Sequence, residues 1–199
     1  MRLEEAKKLY ANMKECSACL MRKGCSQVVT YDGLLEDTPI LLIVGECPGA
    51  TEDQEGLPFV GDSGQILREA LRESKTLFKN NTIISNVLKC RPPKNKFPKD
   101  KDIPRLCVSK WLDNEIKLIE PQRMLLLGNV PLQHVAGFTG ITKARGQWIT
   151  VKGIRAMATF HPSYVMRQMN SGDLEARELF FSDVALVAEE VGKLQEALT

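Results

Sequence analysis

The chain has 199 residues, 43% of them hydrophobic and 26% charged, and its formal net charge is +2. These totals are ordinary for a globular chain of about one domain, and they exclude a disordered protein or one with a strongly basic overall balance. No apolar run reaches membrane-spanning length and the first residues lack the apolar core of a signal peptide, so we expect a cytoplasmic protein.

Apolar residues recur at helical or strand spacing along most of the chain. Helical spacing over 2–15 predicts an N-terminal amphipathic helix, and 28–31 is the first short strand candidate. Further strands are predicted at 40–45, 83–88, 124–127, 147–151 and 154–160, the last two as a hairpin, and further helices at 66–77, 103–119, 130–136 and 172–198. This alternation predicts one α/β domain over 1–199, with three α/β/α layers around a mostly parallel central sheet.

A glycine-rich loop, GECPGATEDQEGLPFVGDSGQIL at 45–67, follows the first long apolar strand. An ordinary surface crossover is the common explanation for such a loop. This one lies outside the carboxyl end of a strand, where α/β proteins bind ligands. It also carries several carboxylates and one aromatic ring, which favours a pocket for a small, polar, planar ligand. These side chains are Glu46, Glu52, Asp53, Glu55 and Phe59.

Side chains that follow parallel strands should converge at one edge of the sheet. Asn86 offers one acceptor and two donors in one plane, which suits a nucleobase edge, although Asn is also common in turns and caps. His161 can donate a hydrogen bond to a developing oxyanion. His134 lies on a predicted helix, and we interpret it as a structural surface residue. The converging segments are 46–59, 85–91, 128–129 and 161–167.

The six cysteines favour metal binding or burial over structural disulfides in a cytoplasmic chain. Cys16 and Cys19 form a C-x-x-C pair, and Cys90 with Cys107 offers a second pair downstream. Four thiolates can hold zinc or an iron–sulfur centre, and spacing alone leaves the metal open. A free thiol explains Cys25 at least as well as ligation does.

The segment 89–105 is strongly basic, with seven Lys or Arg residues against two Asp. A solvated loop and a phosphate-contacting surface explain this run equally well. No Ser-His-Asp, Cys-His or P-loop pattern occurs. Cys47 has little support as a nucleophile, because neither histidine is its sequence neighbour.

Four motifs occur in the order and approximate spacing of one enzyme family. They are GECPGATEDQEGLPFVG at 45–61, NVLKCRPPKN at 86–95, CVSKWL at 107–112 and HPSY at 161–164. With them the chain resembles the family 4 uracil-DNA glycosylases over 16–167. The resemblance implies an α/β/α fold, hydrolysis of the bond between uracil and deoxyribose to leave an abasic site, and a [4Fe-4S] cluster. By motif match the cluster ligands are Cys16, Cys19, Cys90 and Cys107, so that 16–19 and 90–107 form a cluster region.

The resemblance also implies how the base is recognised. Phe59 would stack on uracil, and Asn86 would accept from N3–H and donate to O4. His161 would hydrogen-bond O2 and stabilise the uracil anion as the bond breaks. Glu52 would close the C5 side, where thymine has its methyl group. The uracil must be flipped out of a duplex or taken from single-stranded DNA.

The remaining implied roles concern water and DNA. Glu46 would hold or activate the water, and the backbone of Glu46 and Cys47 would line the pocket. The segment 164–167 would wedge into the duplex. Together with the basic run, the residues expected to contact DNA are Lys89, Arg91, Lys94, Lys96, Tyr164, Val165, Met166 and Arg167.

Two cysteines depart from the family pattern. Related families can carry a water-orienting aspartate at the place of Cys47, whereas family 4 usually has a small residue, and a thiol supplies no obvious base. Cys25 lies outside the ligand set. A relative that traps uracil covalently has a histidine in an extra basic loop, and 91–102 contains none, so we predict simple turnover. We also expect the protein to be a monomer. The rival hypotheses are a non-catalytic iron–sulfur or zinc protein that binds nucleic acid and, more weakly, an electron-transfer protein.

Overall fold

The computed structural model describes residues 3–35, 40–74 and 81–197. Its strands form one five-stranded sheet in the order β2-β1-β3-β5-β4. They are β1 (Leu41–Gly45), β2 (Thr82–Asn86), β3 (Arg123–Leu127), β4 (Trp148–Val151) and β5 (Ile154–Thr159). Neighbouring strands are parallel except β4, which pairs antiparallel with β5. The predicted mostly parallel sheet and its C-terminal hairpin are confirmed.

Helices account for most of the remaining described residues. Short 3-10 turns lie at Leu20–Gly24 and Pro93–Asn95, and a π turn lies at Val108–Leu112. The α-helices are α1 (Leu3–Lys14), α2 (Ala50–Glu55), α3 (Asp62–Glu73), α4 (Asp102–Cys107), α5 (Asp113–Ile119), α6 (Asn129–Ala136), α7 (Ile141–Ala144), α8 (Pro162–Asn170) and α9 (Glu175–Glu196).

The sheet separates two apolar layers. β1 is buried at every position, as expected for a parallel strand that is covered on both faces. Because side chains alternate along a strand, Leu42 and Val44 join the cluster that includes α1, α5 and α6 residues, whereas Leu41 and Ile43 join the cluster that includes α3 and α9 residues. The predicted α/β/α layering is confirmed.

The predicted strand at 28–31 is wrong. The backbone there makes isolated contacts rather than a ladder: Val29 N–H donates to the Lys89 carbonyl at 2.8 Å, and Asp32 forms a single bridge with Ile84. The apolar residues in this segment are buried, which explains the strand-like pattern in the sequence. The segment is therefore buried as a strand would be, but its backbone does not continue to pair with a neighbouring strand.

The helices differ from the predictions at several boundaries, and α2 and α7 were not predicted. α3 begins at Asp62, four residues before the predicted start, and positions 75–77 of that prediction lie outside the described residues, as do positions 2 and 198 of the terminal helices. The predicted helix at 103–119 is interrupted by the π turn. α8 was not predicted as a helix.

Within 3–35, 40–74 and 81–197, no helix combines the length and apolar character needed to cross a membrane.

Candidate active site and cysteine centre

A cavity of about 320 Å³ lies at the carboxyl edge of the sheet. It brings together all six residues expected to surround uracil, which come from the end of β2 and from the segments that follow β1 and β5. The lining residues are Glu46, Cys47, Pro48, Gly49, Glu52, Phe59, Ser63, Asn86, Asn95, His161, Ser163 and Arg167.

Phe59 is held in a strained backbone conformation at the cavity wall. Its φ of 56° lies in the left-handed region, which is uncommon for a non-glycine residue. Its ring centroid lies 5.9 Å from that of His161, with the two ring planes 38° apart. Two glycines make room for it, because a Cβ at Gly45 would overlap the Phe59 ring and a Cβ at Gly64 would overlap the Phe59 carbonyl.

Asn86 ends β2 with its side chain in the cavity wall. The residue is 2% exposed, and its Oδ1 atom has no hydrogen-bond partner among the described residues. A Cβ at Gly45 would lie 2.5 Å from this oxygen, so glycine at position 45 also leaves space for the amide. A buried polar atom without a partner is costly, which makes it a strong indication of an absent ligand.

His161 presents its Nε2 atom to the same cavity. The Ser163 amide donates to Nδ1 at 3.2 Å, and the Ser163 hydroxyl lies 2.8 Å from the same nitrogen. Nδ1 is thus the acceptor, and the proton belongs on Nε2, which is buried and unpaired within the described part of the chain. Burial, with a further contribution from the charge of Arg167, lowers the pKa of His161 to about 4. The imidazole is therefore a neutral donor at pH 7.

Glu46 and Cys47 form a pair beside these groups. The Cys47 thiol donates to Glu46 Oε1 at 3.8 Å. Burial raises the pKa of Glu46, partly offset by the thiol and by Arg167. Burial raises the pKa of Cys47 far above its usual range, and the Glu46 carboxylate raises it further. Cys47 is consequently a protonated donor, which agrees with its weak prospects as a nucleophile.

Glu52 and Asp53 hold the glycine-rich loop through backbone amides. Glu52 Oε1 accepts from Val60 N–H at 2.9 Å and Gly61 N–H at 2.8 Å, while Oε2 accepts from Gly49 N–H at 3.1 Å. Asp53 accepts from the amide of Ser26 at 2.9 Å. Both carboxylates are buried, so the loop is rigidly built around its cavity wall.

A second, apolar cavity is lined by Cys16, Cys19, Cys90 and Cys107 together. The Trp111 indole N–H donates to Cys16 Sγ at 3.3 Å. Burial raises the pKa of Cys107 to about 11, although Lys89 opposes the shift. In the ranges that the structure describes, no three Cys, His, Asp or Glu side chains close around a single metal ion.

All six cysteines are free, as expected. Cys25 is not among the residues that line the apolar cavity, but it adjoins a ligand candidate. Burial raises the pKa of Cys90, and a hydrogen bond with Cys25 raises it further. The Cys25 thiol also lies 3.6 Å from the Arg22 carbonyl.

Two expected DNA contacts are wrong. Lys89 is 1% exposed, and its ammonium is paired with the buried Glu115 carboxylate and lies 2.6 Å from Ser85 Oγ. Val165 is fully buried on the inner face of α8. Neither side chain can reach a nucleic acid from these positions.

The other expected DNA contacts stay at the surface or the cavity rim. Lys94, Lys96, Tyr164 and Arg167 are exposed, whereas Arg91 and Met166 are half-buried. Arg167 lines the polar cavity.

Sequence reasoning missed Asn95, Ser63 and Ser163 as lining residues of the polar cavity. Asn95 belongs to the quoted NVLKCRPPKN motif and Ser163 to HPSY, so the motifs contained the signal for both.

Comparisons with known proteins agree with this geometry. The Uracil DNA glycosylase superfamily matches residues 33–185. A Type-4 uracil-DNA glycosylase from Thermotoga maritima is 37% identical over 175 residues, which cover 86% of this chain and 87% of that protein. The protein of the same name from Sulfurisphaera tokodaii is 30% identical, over 84% of this chain and 79% of its own. Another, from Archaeoglobus fulgidus, is 29% identical over 98% of each chain. On the family match over most of its length and these identities, the chain belongs to the type-4 uracil-DNA glycosylases of this superfamily.

Proposed function

We propose that the protein is a DNA repair glycosylase that hydrolyses the N-glycosidic bond of uracil in DNA, releasing uracil and leaving an abasic site. One observation carries the proposal: Asn86 Oδ1 and His161 Nε2 are both buried at the wall of the cavity that Phe59 lines, and neither has a hydrogen-bond partner among the described residues. The Asn86 acceptor matches N3–H of uracil, the His161 donor matches its O2, and the Phe59 ring matches the flat face of the base. The names of the relatives support the same activity.

Asn86 distinguishes uracil from cytosine. Its Oδ1 accepts from N3–H of uracil, and its amide nitrogen donates to O4. Cytosine presents an acceptor at N3 and a donor at N4, so its binding would leave buried polar groups unpaired on both sides. Glu52 closes the C5 side of the base in this proposal. Its carboxylate accepts hydrogen bonds from three backbone amides, which fix it in place so that it excludes the thymine methyl group.

His161 and Glu46 act on the reaction itself. As the C1′–N1 bond breaks, its electron pair passes to uracil, and the Nε2–H of His161 stabilises the negative charge that develops on O2. Water then adds its hydroxyl to C1′ and gives its proton to the Glu46 carboxylate. The raised pKa of Glu46 makes this carboxylate a better proton acceptor when it is ionised. The Cys47 thiol donates to Glu46 and takes no part as a nucleophile or base.

DNA contacts are assigned to the surface around the cavity. Arg167 at the rim and the exposed Lys94 and Lys96 are placed to contact phosphates, as is Arg91, whose guanidinium also bonds Asn95 at 2.7 Å. Tyr164 and Met166 are the remaining candidates for the wedge. The proposal includes a monomer, a single domain over 1–199 and a cytoplasmic location; six cysteines without a disulfide suit a reducing compartment.

We propose that a [4Fe-4S] cluster is the cofactor and that Cys16, Cys19, Cys90 and Cys107, which line the apolar cavity together, would hold it. Support comes from the donor set, because four thiols face one cavity whose other walls include Val28, Leu88 and Ile103. The Trp111 N–H at Cys16 adds the kind of sulfur hydrogen bond that tunes such centres. When bound, the cluster supplies a covalent link between the N-terminal segment and the segment after β2.

The decisive experiment uses an oligonucleotide with one uracil, single-stranded or paired with guanine. We expect conversion to an alkali-labile product, while the thymine oligonucleotide stays intact. Absence of product would refute the proposal. The rival nucleic-acid-binding module predicts salt-sensitive binding that ignores uracil and survives Asn86→Ala and His161→Ala.

The cluster has a separate test. We expect the purified protein to be brown and to lose its iron on Cys90→Ser. Cys25→Ser is the matched control and should keep the iron. A colourless protein with stoichiometric zinc would overturn the choice of metal without affecting the four ligands.

A further inference from the structure

Arg68 on α3 binds the turn that carries Phe59, although it is absent from the cavity lining. Its Nε donates to the Phe59 carbonyl at 2.7 Å, and its Nη2 donates to the Pro58 carbonyl at 3.0 Å. Nη2 also donates to Asp32 Oδ2 at 2.6 Å. One guanidinium thus joins two consecutive carbonyls of the turn to a carboxylate from another part of the chain.

The Phe59 turn needs such support because its backbone is strained. A non-glycine residue with φ of 56° persists only where the surroundings determine its conformation. The amides after Phe59, those of Val60 and Gly61, donate to Glu52 Oε1. Arg68 holds the carbonyls that precede them, so the turn is fixed through its donors on one side and its acceptors on the other.

Asp32 connects the same ion pair to the strand that carries Asn86. The Asp32 amide donates to the Ile84 carbonyl at 3.0 Å, and the Ile84 amide donates to the Asp32 carbonyl at 2.8 Å. Ile84 lies in β2, two residues before Asn86. The Arg68–Asp32 pair therefore links the turn that carries the stacking ring to the strand that carries the hydrogen-bonding amide.

We propose that Arg68 and Asp32 are positioning residues for base recognition, which fix the face of Phe59 relative to the edge-reading amide of Asn86. This inference rests on the proposed function, since it assigns the two fixed groups to the uracil base. The pair is only partly exposed, with 16% of the Arg68 side chain and 30% of the Asp32 side chain accessible. A lysine would not replace Arg68, because an ammonium lacks the planar fork that reaches several acceptors at once.

The test measures uracil release by the full-length chain with Arg68→Met, Arg68→Lys and Asp32→Asn. We expect kcat/KM to fall by up to roughly 100-fold for Arg68→Met, the scale of a misplacement of about 1 Å at a reacting group. Arg68→Lys and Asp32→Asn should give intermediate losses. Free uracil should inhibit all three variants more weakly than it inhibits the wild type, because the base site itself is displaced.

Glu69→Gln is the matched control. It removes the carboxylate next in sequence to Arg68, which pairs with Arg177 of α9 at 3.1 Å. We expect its kcat/KM and uracil inhibition to equal those of the wild type.

A double-mutant cycle separates positioning from general stability. If Arg68 acts through Phe59, then Arg68→Met with Phe59→Ala should be no slower than Phe59→Ala alone. Fully additive losses would overturn the inference. If Arg68→Met does not fold, Asp32→Asn and Arg68→Lys decide, and wild-type kinetics in both would also overturn it. A wild-type protein that releases no uracil would instead refute the proposed function.

Discussion

The two cavities lie at opposite ends of one short segment, and their chemistry differs. Asn86 begins the segment and places an unpaired oxygen in a polar cavity, whereas Cys90 ends it and faces an apolar cavity with three other thiols. A site for a transient ligand keeps hydrogen bonds unmet until that ligand arrives. A site for a resident group has no such need. The contrast therefore separates a binding pocket from a structural centre within five residues of the chain.

Lys89 lies between the two cavities and is among the residues that line the apolar one. Its ammonium is buried against Glu115 and Ser85, while its carbonyl accepts from Val29. A buried ion pair of this kind contributes little net stability, but removal of one partner leaves an isolated charge. The conformation of 86–90 therefore depends on both Lys89 and Glu115.

The largest expected effect is that of Lys89→Met, which breaks the connection between the cavities. The uncompensated Glu115 carboxylate should cost about 3–5 kcal/mol of unfolding free energy, measured by urea denaturation. Lys89→Met combined with Glu115→Met should recover most of that loss. Lys152→Met is the control, because it breaks the exposed pair with Asp113 at 3.1 Å and should cost about 1 kcal/mol or less. A loss that small for Lys89→Met would show that 86–90 does not depend on the pair.

His161→Ala tests the polar cavity alone. Removal of one donor to a developing oxyanion should lower kcat by about 100- to 1,000-fold, with unchanged iron content. His134→Ala, which alters the histidine on α6, should be kinetically silent. Equal effects of the two substitutions would contradict the assignment of His161 Nε2 to uracil O2.

The stability of the protein should depend on the neutral state of His161. Its folded pKa of about 4 lies below the usual value of 6.5, so the folded chain binds fewer protons than the unfolded chain between these values. The contribution of neutral His161 to the free energy of unfolding is complete above pH 6.5, and it declines as the pH falls towards 4. His161→Asn should flatten the unfolding free energy over this window, as measured by denaturation at successive pH values. An identical pH dependence in both proteins would contradict the buried, neutral imidazole.

Cys47→Ala should have the smallest effect. It compares a cysteine of the polar cavity with Cys90, a proposed cluster ligand in the apolar cavity. Loss of one weak sulfur hydrogen bond to Glu46 should lower kcat/KM by about threefold or less. Abolished activity would indicate a nucleophilic thiol. The iron content should not change, in contrast to Cys90→Ser.

The fold and most of the base pocket could be predicted because strand ends are visible in the sequence. Asn86 and His161 each follow an apolar run, and parallel strands bring such positions to one edge. The burial of Lys89 could not be read in the same way, since its partner Glu115 is 26 residues away. The support that Arg68 gives to Phe59 depends likewise on Asp32, 36 residues away.

The inward position of Val165 was missed for a different reason. His161 followed by Pro162 is a helix start, with a capping side chain and proline at the first helical position. A helix over 162–170 would have placed Val165 and Arg167 on different faces. No helix was predicted over 162–170, and all four residues of 164–167 were therefore expected to be accessible to DNA.

The π turn at Val108–Leu112 limits how the length of this chain can change. Cys107 precedes it, Trp111 lies within it, and Glu115 follows it. Each residue of a regular α-helix turns the chain by about 100°, and the wider π turn sets the directions of Trp111 and Glu115 relative to Cys107. A change of length between Cys107 and Glu115 would disturb the contacts of Trp111 with Cys16 and of Glu115 with Lys89, whereas the exposed Ser109 could be exchanged. This helix should therefore tolerate many substitutions but no insertion or deletion of a single residue.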